Sequence, residues 1–287
     1  MKAVAALAAL LAALPAALPA ALAMLGLAAV PPARAETDSA KTEPAACAAP
    51  AYLLATEARL LKVAEAIKAG GRLDILVIGS RSAVVAAAPD GTGFPGRMTA
   101  ALRERLPSIA IAMSLQLQVK KTAADVVANL GRLLEGKSLE GRSLEGRSLE
   151  GRSPTLVVWQ TGTVDAIRSA DPDDFRAALG QGIAAFRKAG ADVVLVNLQY
   201  GPRMETMIST APYLDVMRVV AQEREVPLFD RFGIMHYWSD TGHFNLFGPV
   251  HGAAMARRVH DCLGRALARV VLDAAGVNPP QPDLRAR

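Results

Sequence analysis

Apolar residues gather in five short runs along this chain, at positions 74–79, 109–119, 155–160, 191–198 and 226–229. Each is rich in Val, Ile and Leu, as in Leu73-Asp74-Ile75-Leu76-Val77-Ile78. Short, nearly continuous apolar runs predict strands buried on both faces. Amphipathic stretches near 93–106, 122–135, 172–189, 210–224 and 246–272 separate or follow them, and their spacing predicts helices. A further helix is predicted over Leu53–Lys68, ended by Gly70-Gly71. Strand–helix alternation of this kind predicts an α/β fold, a parallel sheet covered by helices on both faces and joined by right-handed crossovers.

The ends of the chain read differently. Met1-Lys2 is followed by an Ala/Leu-rich run from Ala3 to Val30 and then by Pro31-Pro32-Ala33-Arg34-Ala35. A basic start, an apolar run and a small-x-small ending predict a secretory signal over 1–35, cleaved near Ala35. An uncleaved anchor is the alternative, because the run is long enough to span a bilayer, but Pro15 and Pro19 interrupt it. A linker is expected over 36–50, one domain over 51–272 and a tail over 273–287. The expected destination is periplasmic or secreted. In that oxidising setting Cys47 and Cys262, the two cysteines of the chain, are expected to form a disulfide; two separately buried thiols are the alternative.

Charge narrows the partners. The full chain carries 32 Lys and Arg against 27 Asp and Glu, a net +5. Residues 1–35 hold Lys2 and Arg34 and no acid, so the remainder is milder still. No basic run is clustered enough to argue for nucleic acid, and after signal cleavage no stable membrane insertion is expected.

From Gly131 the chain reads GRLLE, GKSLE, GRSLE, GRSLE and GRSPT. A five-residue period cannot keep one face of a helix with 3.6 residues per turn, and each unit brings a glycine. The 131–153 segment therefore reads as a tandem expansion at a helix end, an exposed loop insert.

In an open parallel sheet, ligands sit beyond the carboxyl ends of the strands. Those positions here are Gly79-Ser80-Arg81-Ser82, Lys120-Lys121-Thr122 and Gln160-Thr161-Gly162-Thr163-Val164-Asp165. Near the C-terminus, Asp240-Thr241-Gly242-His243 offers a carboxylate three residues from an imidazole, a spacing that suits a base and its orienting acid. His236, His251 and His260 read as packing or surface positions, and Trp159 and Gln160 as core and rim. Cys262 near His260 is no metal site, because no other ligands have suitable spacing, and no cofactor is expected.

With these blocks in this order, the chain from about Ala51 to Leu267 resembles the SGNH/GDSL hydrolases, and more closely an exported bacterial branch whose first block often reads G-S-S-S. Val157-Val158-Trp159-Gln160-Thr161-Gly162-Thr163, Gln199-Tyr200-Gly201-Pro202 and Val226-Pro227-Leu228-Phe229 support it. The resemblance implies a flavodoxin-like three-layer α/β/α sandwich with a five-stranded parallel sheet. It also implies metal-free hydrolysis of acyl or carbohydrate O-acetyl esters by a Ser–His–Asp arrangement. Carried over residue by residue, the nucleophile position falls on Arg81, the block-two glycine on Lys120 and the block-three asparagine on Val164. Arginine stays protonated and cannot attack a carbonyl. His243 as base and Asp240 as its partner remain, with Ser82 or Ser80 as substitute nucleophiles and Arg81, Lys120, Gly162 and Thr163 around the oxyanion pocket. Two functions follow as expectations: an ester hydrolase with a degenerate site acting on a small-molecule, glycan or lipid ester, or an inactive protein of the same fold binding an anionic envelope glycan or lipid headgroup.

Overall fold

The five apolar runs become five parallel strands of one sheet, ordered β2-β1-β3-β4-β5. They are β1 (Arg72–Gly79), β2 (Ala110–Leu117), β3 (Leu156–Gln160), β4 (Asp192–Val196) and β5 (Leu228–Phe229). The structure, a computed structural model, describes residues 47–85, 93–135, 152–246 and 252–277. The expected leader, the linker as far as residue 46, residues 136–151 of the pentad insert and the tail from 278 lie outside the described residues.

The helices are α1 (Ala51–Leu54), α2 (Leu61–Lys68), α3 (Phe94–Arg105), α4 (Ala123–Val127), α5 (Leu130–Leu134), α6 (Thr163–Ile167), α7 (Pro172–Lys188), α8 (Pro202–Glu205), α9 (Ala211–Glu223), α10 (Arg231–Asp240) and α11 (Ala253–Ala274). From β1 the chain crosses by α3 to β2 on one side. It then crosses back over β1 to β3 and continues through α7 to β4 and α9 to β5. Right-handed crossovers running in the two directions place their helices on opposite faces. Accordingly α3 packs on α11, while α7 packs against α4 and α9. The α/β fold with a five-stranded parallel sheet and flanking helices is as expected.

The core is continuous through the sheet. Ile75, Leu76, Val77 and Ile78 of β1 and Val157, Val158 and Trp159 of β3 are fully buried, as strands covered on both faces require. Trp159 meets Phe186 of α7 edge to face at 5.5 Å. Cys47 and Cys262 are joined, with Cα atoms 5.0 Å apart, so the segment before α1 is tied to α11.

Several helix bounds differ from the expectation. The helix expected over Leu53–Lys68 is interrupted: Ala55 turns extended, with φ −71° and ψ 140°. The Leu60 amide donates to the Ala274 carbonyl at 3.0 Å, a bond to the end of α11 that replaces helical pairing. The helix expected over 122–135 is two helices, α4 and α5. The last helix begins at Ala253, not near 246. Asp240 is the last residue of α10. No periodicity announced α10, whose buried residues Arg231, Phe232, Ile234, Met235 and Trp238 mix a cation among the apolar positions.

Candidate functional site

The chain leaves β1 in one direction and β3 in the other, so the switch in strand order lies between these neighbours. That is where the sheet opens a crevice. A cleft of about 660 Å³ lies there, lined by Ser80, Arg81 and Ser82 after β1, Val119 and Lys120 after β2, and Thr163 and Val164 after β3. The segment after β4, from Gln199 to Met204, closes another side, and Leu246 completes it.

The turn after β1 is tightly held. Ser80 caps a single 3-10 turn, Arg81–Ala83, its hydroxyl accepting from the Ser82 amide. Behind it, Gln160 Nε2 donates to Ser80 Oγ at 3.0 Å and to Ser82 Oγ at 2.8 Å. Arg231, at the start of α10, donates through Nη1 to Ser82 Oγ at 3.1 Å and through Nη2 to the Ser82 carbonyl at 2.9 Å. Nη2 also donates to Gln199 Oε1 at 3.1 Å. The guanidinium is 1 % exposed and sits over the Phe94 ring at 5.2 Å. Among the described residues no carboxylate pairs with it. Burial pulls its pKa down to about 9, which leaves it charged at neutral pH. The His260 ring also stacks on Phe94, at 6.0 Å. His260 Nδ1 accepts from the Phe94 amide at 2.9 Å, and burial first, then the charges of Arg231 and Arg97, lower its pKa to about 3. It is a neutral packing imidazole.

Two backbone positions at and beside the cleft are left-handed. Gly162 has φ +94°, a conformation that favours glycine, and a Cβ there would lie 2.6 Å from Leu198 Cδ1, which would have to shift. Lys120 adopts φ 58°, also left-handed, at the position where the resemblance puts a glycine. Its carbonyl accepts from Arg168 Nη2 at 3.0 Å. Thr163 and Val164 begin α6, which Asp165 anchors by accepting from the Ala123 amide at 2.9 Å. Burial pushes the Asp165 carboxyl up.

Not all of the expected site residues come together. Ser80, Arg81, Ser82, Lys120 and Thr163 share the cleft, while Gly162 lines a small cavity of about 10 Å³ beside it. Asp240 does not face His243: its Oδ2 lies 3.2 Å from Nδ1 of His236, one turn back on α10. His243 Nδ1 instead lies 2.6 Å from the Thr241 hydroxyl. Among the described residues no hydrogen bond joins any histidine to Ser80, Arg81 or Ser82. Arg231 and Gln160, which organise the serines, were not among the expected site residues. A lone charge in Asp230-Arg231-Phe232, directly after an apolar run, and a polar residue ending β3 were the available signals. Among the described residues no three His, Cys, Asp or Glu side chains stand together to hold a metal, and no helix is long and apolar enough to cross a membrane.

The electrostatics are one-signed. Arg81, Lys120 and Arg203 line the cleft, and among the described residues no acid does. None of the three makes an ion pair among the described residues. The rest of the lining is largely apolar: Val119, Val164, Pro202, Met204 and Leu246.

Comparison with known proteins completes the description. A two-domain esterase (CEX) active on acetylated mannans has a similar fold, with TM-score 0.56 and 14% identity over 79% of this chain and 57% of that one. Its complex with mannopentaose matches with TM-score 0.54, the same identity and the same shares. A catalytic mutant of Axe2, an acetylxylan esterase from Geobacillus stearothermophilus, matches with TM-score 0.51 and 16% identity over 69% of this chain and 94% of that one. No curated protein matches the sequence. Residues 142–277 match the model of the Non-GDSL lipase-like family, and the fold as a whole is similar to that of these esterases.

Proposed function

We propose that this chain, whose fold is similar to that of ester hydrolases, uses its cleft to bind an anionic, acyl-bearing ligand, a lipid headgroup with part of its chain, without hydrolysing it. The observation that carries the reading is the lining: among the described residues, three cations without an ion pair and no acid, beside an apolar wall. Arg and Lys at such a mouth suit phosphate or carboxylate oxygens. The apolar residues suit an acyl chain better than a sugar face, and the one aromatic ring in the lining, Tyr200, is buried and engaged edge to face with Phe232 and His236. Loss of hydrolysis is supported by arginine at the nucleophile position and by the pairing of Asp240 with His236 and of His243 with Thr241. The ligand would be met outside the cytoplasm, a reading supported by the leader-like sequence of 1–35 and by the Cys47–Cys262 disulfide.

Hydrolysis by Ser82 is the second reading. It is favoured by the similarity to esterases and by the two donors on Ser82 Oγ, which would stabilise an alkoxide. Two assays separate them. Incubation with p-nitrophenyl acetate and butyrate is expected to give no turnover above a His243→Ala control; turnover above it establishes the second reading. Calorimetry with dihexanoyl phosphatidylglycerol is expected to show binding that Arg81→Ala weakens and that dihexanoyl phosphatidylcholine does not match. Equal binding of both lipids removes the anionic reading.

A further inference from the structure

The floor of the cleft fixes the direction of its hydrogen bonds. Ser82 Oγ accepts from Gln160 Nε2 at 2.8 Å and from Arg231 Nη1 at 3.1 Å. A hydroxyl oxygen has two lone pairs and one proton, and neither a guanidinium nor an amide nitrogen accepts. Both lone pairs of Ser82 are therefore filled, and its proton must be given away. The neighbouring acceptor is Ser80 Oγ at 3.1 Å. Ser80 Oγ already accepts from Gln160 at 3.0 Å and has a longer contact from the Ser82 amide at 3.4 Å. Its oxygen is then filled in turn, and only its own proton remains.

The orientation of the Gln160 amide is consistent with this direction. Gln160 is 4 % exposed, and its Oε1 is the amide atom left without a partner. Turning the amide round would orphan a buried N–H₂ instead, and buried N–H groups without acceptors are rarer than under-satisfied carbonyls.

We propose that Ser80 is a ligand-binding hydroxyl, the donor end of a one-way relay from Arg231 through Ser82 to Ser80, which gives its proton to an oxygen of the anion in the cleft. Arg231 and Ser82 are positioning residues. The buried guanidinium cannot reach the ligand, because it does not line the cleft, whereas Ser80 does. Hydrogen bonds in series polarise one another, so the relay carries the influence of an uncompensated cation to the cleft surface. The group selected is a phosphate or carboxylate oxygen; a ligand hydroxyl or ammonium seeking an acceptor meets a filled oxygen. The same count leaves neither serine a free lone pair with which to attack a carbonyl. This inference rests on the anion-binding reading of the cleft and assigns the residue that reads the anion.

The test titrates dihexanoyl phosphatidylglycerol into the wild type, Ser80→Ala and Ser80→Thr by calorimetry, with glycerol 1-phosphate as a chainless control. Loss of a hydrogen bond to a charged oxygen is expected to weaken binding about tenfold in Ser80→Ala, while Ser80→Thr, which keeps the hydroxyl, stays within about threefold. A similar ratio with glycerol 1-phosphate assigns the effect to the headgroup. Unchanged affinity in Ser80→Ala overturns the relay and leaves the anionic cleft standing. Absence of binding by the wild type overturns the anionic cleft itself, and with it the ligand of the relay. An independent arm treats the wild type with a fluorophosphonate and maps adducts by mass spectrometry. No adduct on Ser80 or Ser82 is expected, and an adduct on either overturns the relay whatever the ligand.

Discussion

Asp240 holds His236, not His243: its Oδ2 lies 3.2 Å from Nδ1 of His236 across one turn of α10. A D-x-x-H spacing places the two groups near each other along the chain, but the helix decides which imidazole the carboxylate meets. Because Asp240 is the last residue of α10, its i−4 neighbour lies on the same helix face. His243 lies beyond the helix end and bonds Thr241.

Asp240→Asn and His243→Ala are therefore expected to leave the affinity of the cleft for dihexanoyl phosphatidylglycerol unchanged. The pair is half exposed, so Asp240→Asn is expected to change stability by less than about 1 kcal/mol. Calorimetry and urea unfolding check both. A tenfold loss of affinity in either variant would put the Asp240–His243 block back into the site.

The sheet was legible because its signal is local. Val157, Val158 and Trp159 are buried on both faces, and a continuous apolar run records that without reference to distant residues. The cleft was legible where it is lined by residues directly after the strands, as at Ser80, Arg81, Ser82, Lys120 and Thr163. Arg231 was not legible, because its role depends on partners 149 residues away at Ser82 and 32 residues away at Gln199, which no local pattern encodes. The same holds for Leu60, whose bond to Ala274 breaks a helix that the sequence alone would continue.

Lys120 supplies a prediction with two opposed signs. Its φ of 58° is costly for a side chain with a Cβ, by about 1 kcal/mol or more. Replacing it with glycine relieves that strain, less what glycine loses through a freer unfolded chain. Lys120→Gly is expected to raise stability by about 0.5 kcal/mol and to weaken binding of the anionic lipid severalfold. Thermal unfolding and calorimetry on the same samples read the two effects. A stable variant with full affinity would show that the ammonium does not serve the cleft.

His260 makes stability depend on pH. Its folded pKa of about 3 lies below the unfolded value of about 6.5, so between these limits the unfolded chain binds more protons. Stability from this group is therefore complete above pH 6.5 and falls as the pH drops towards 3. By pH 4 the loss amounts to roughly 3 kcal/mol as an upper figure. Burial raises the carboxyls of Asp165 and Asp192, which act in the opposite sense in the acid range, so a single variant must isolate the imidazole. His260→Gln keeps an acceptor for the Phe94 amide and does not titrate. Urea unfolding at pH 7 and pH 4 is expected to show a smaller acid loss in His260→Gln than in the wild type; equal losses would remove His260 as the cause.

The Cys47–Cys262 bond closes a loop of 215 residues, so its effect falls mainly on the unfolded chain. The chain-entropy treatment gives about 5 kcal/mol for a loop of this size. Reduction also frees the native segment before α1. There the Ala48 carbonyl accepts from Trp238 Nε1 at 2.8 Å, and Trp238 meets Phe244 edge to face at 5.3 Å. Both Trp159 and Trp238 are fully buried, but only Trp238 is bonded to the tethered segment. Cys47→Ala/Cys262→Ala is therefore expected to shift the urea midpoint strongly downwards and, in native buffer, to move the tryptophan emission to longer wavelength. Adding Trp238→Phe assigns that shift, since the remaining Trp159 is then expected to emit alike with and without the disulfide. An emission change that survives Trp238→Phe would mean that the bond supports the sheet itself and not only the segment it tethers.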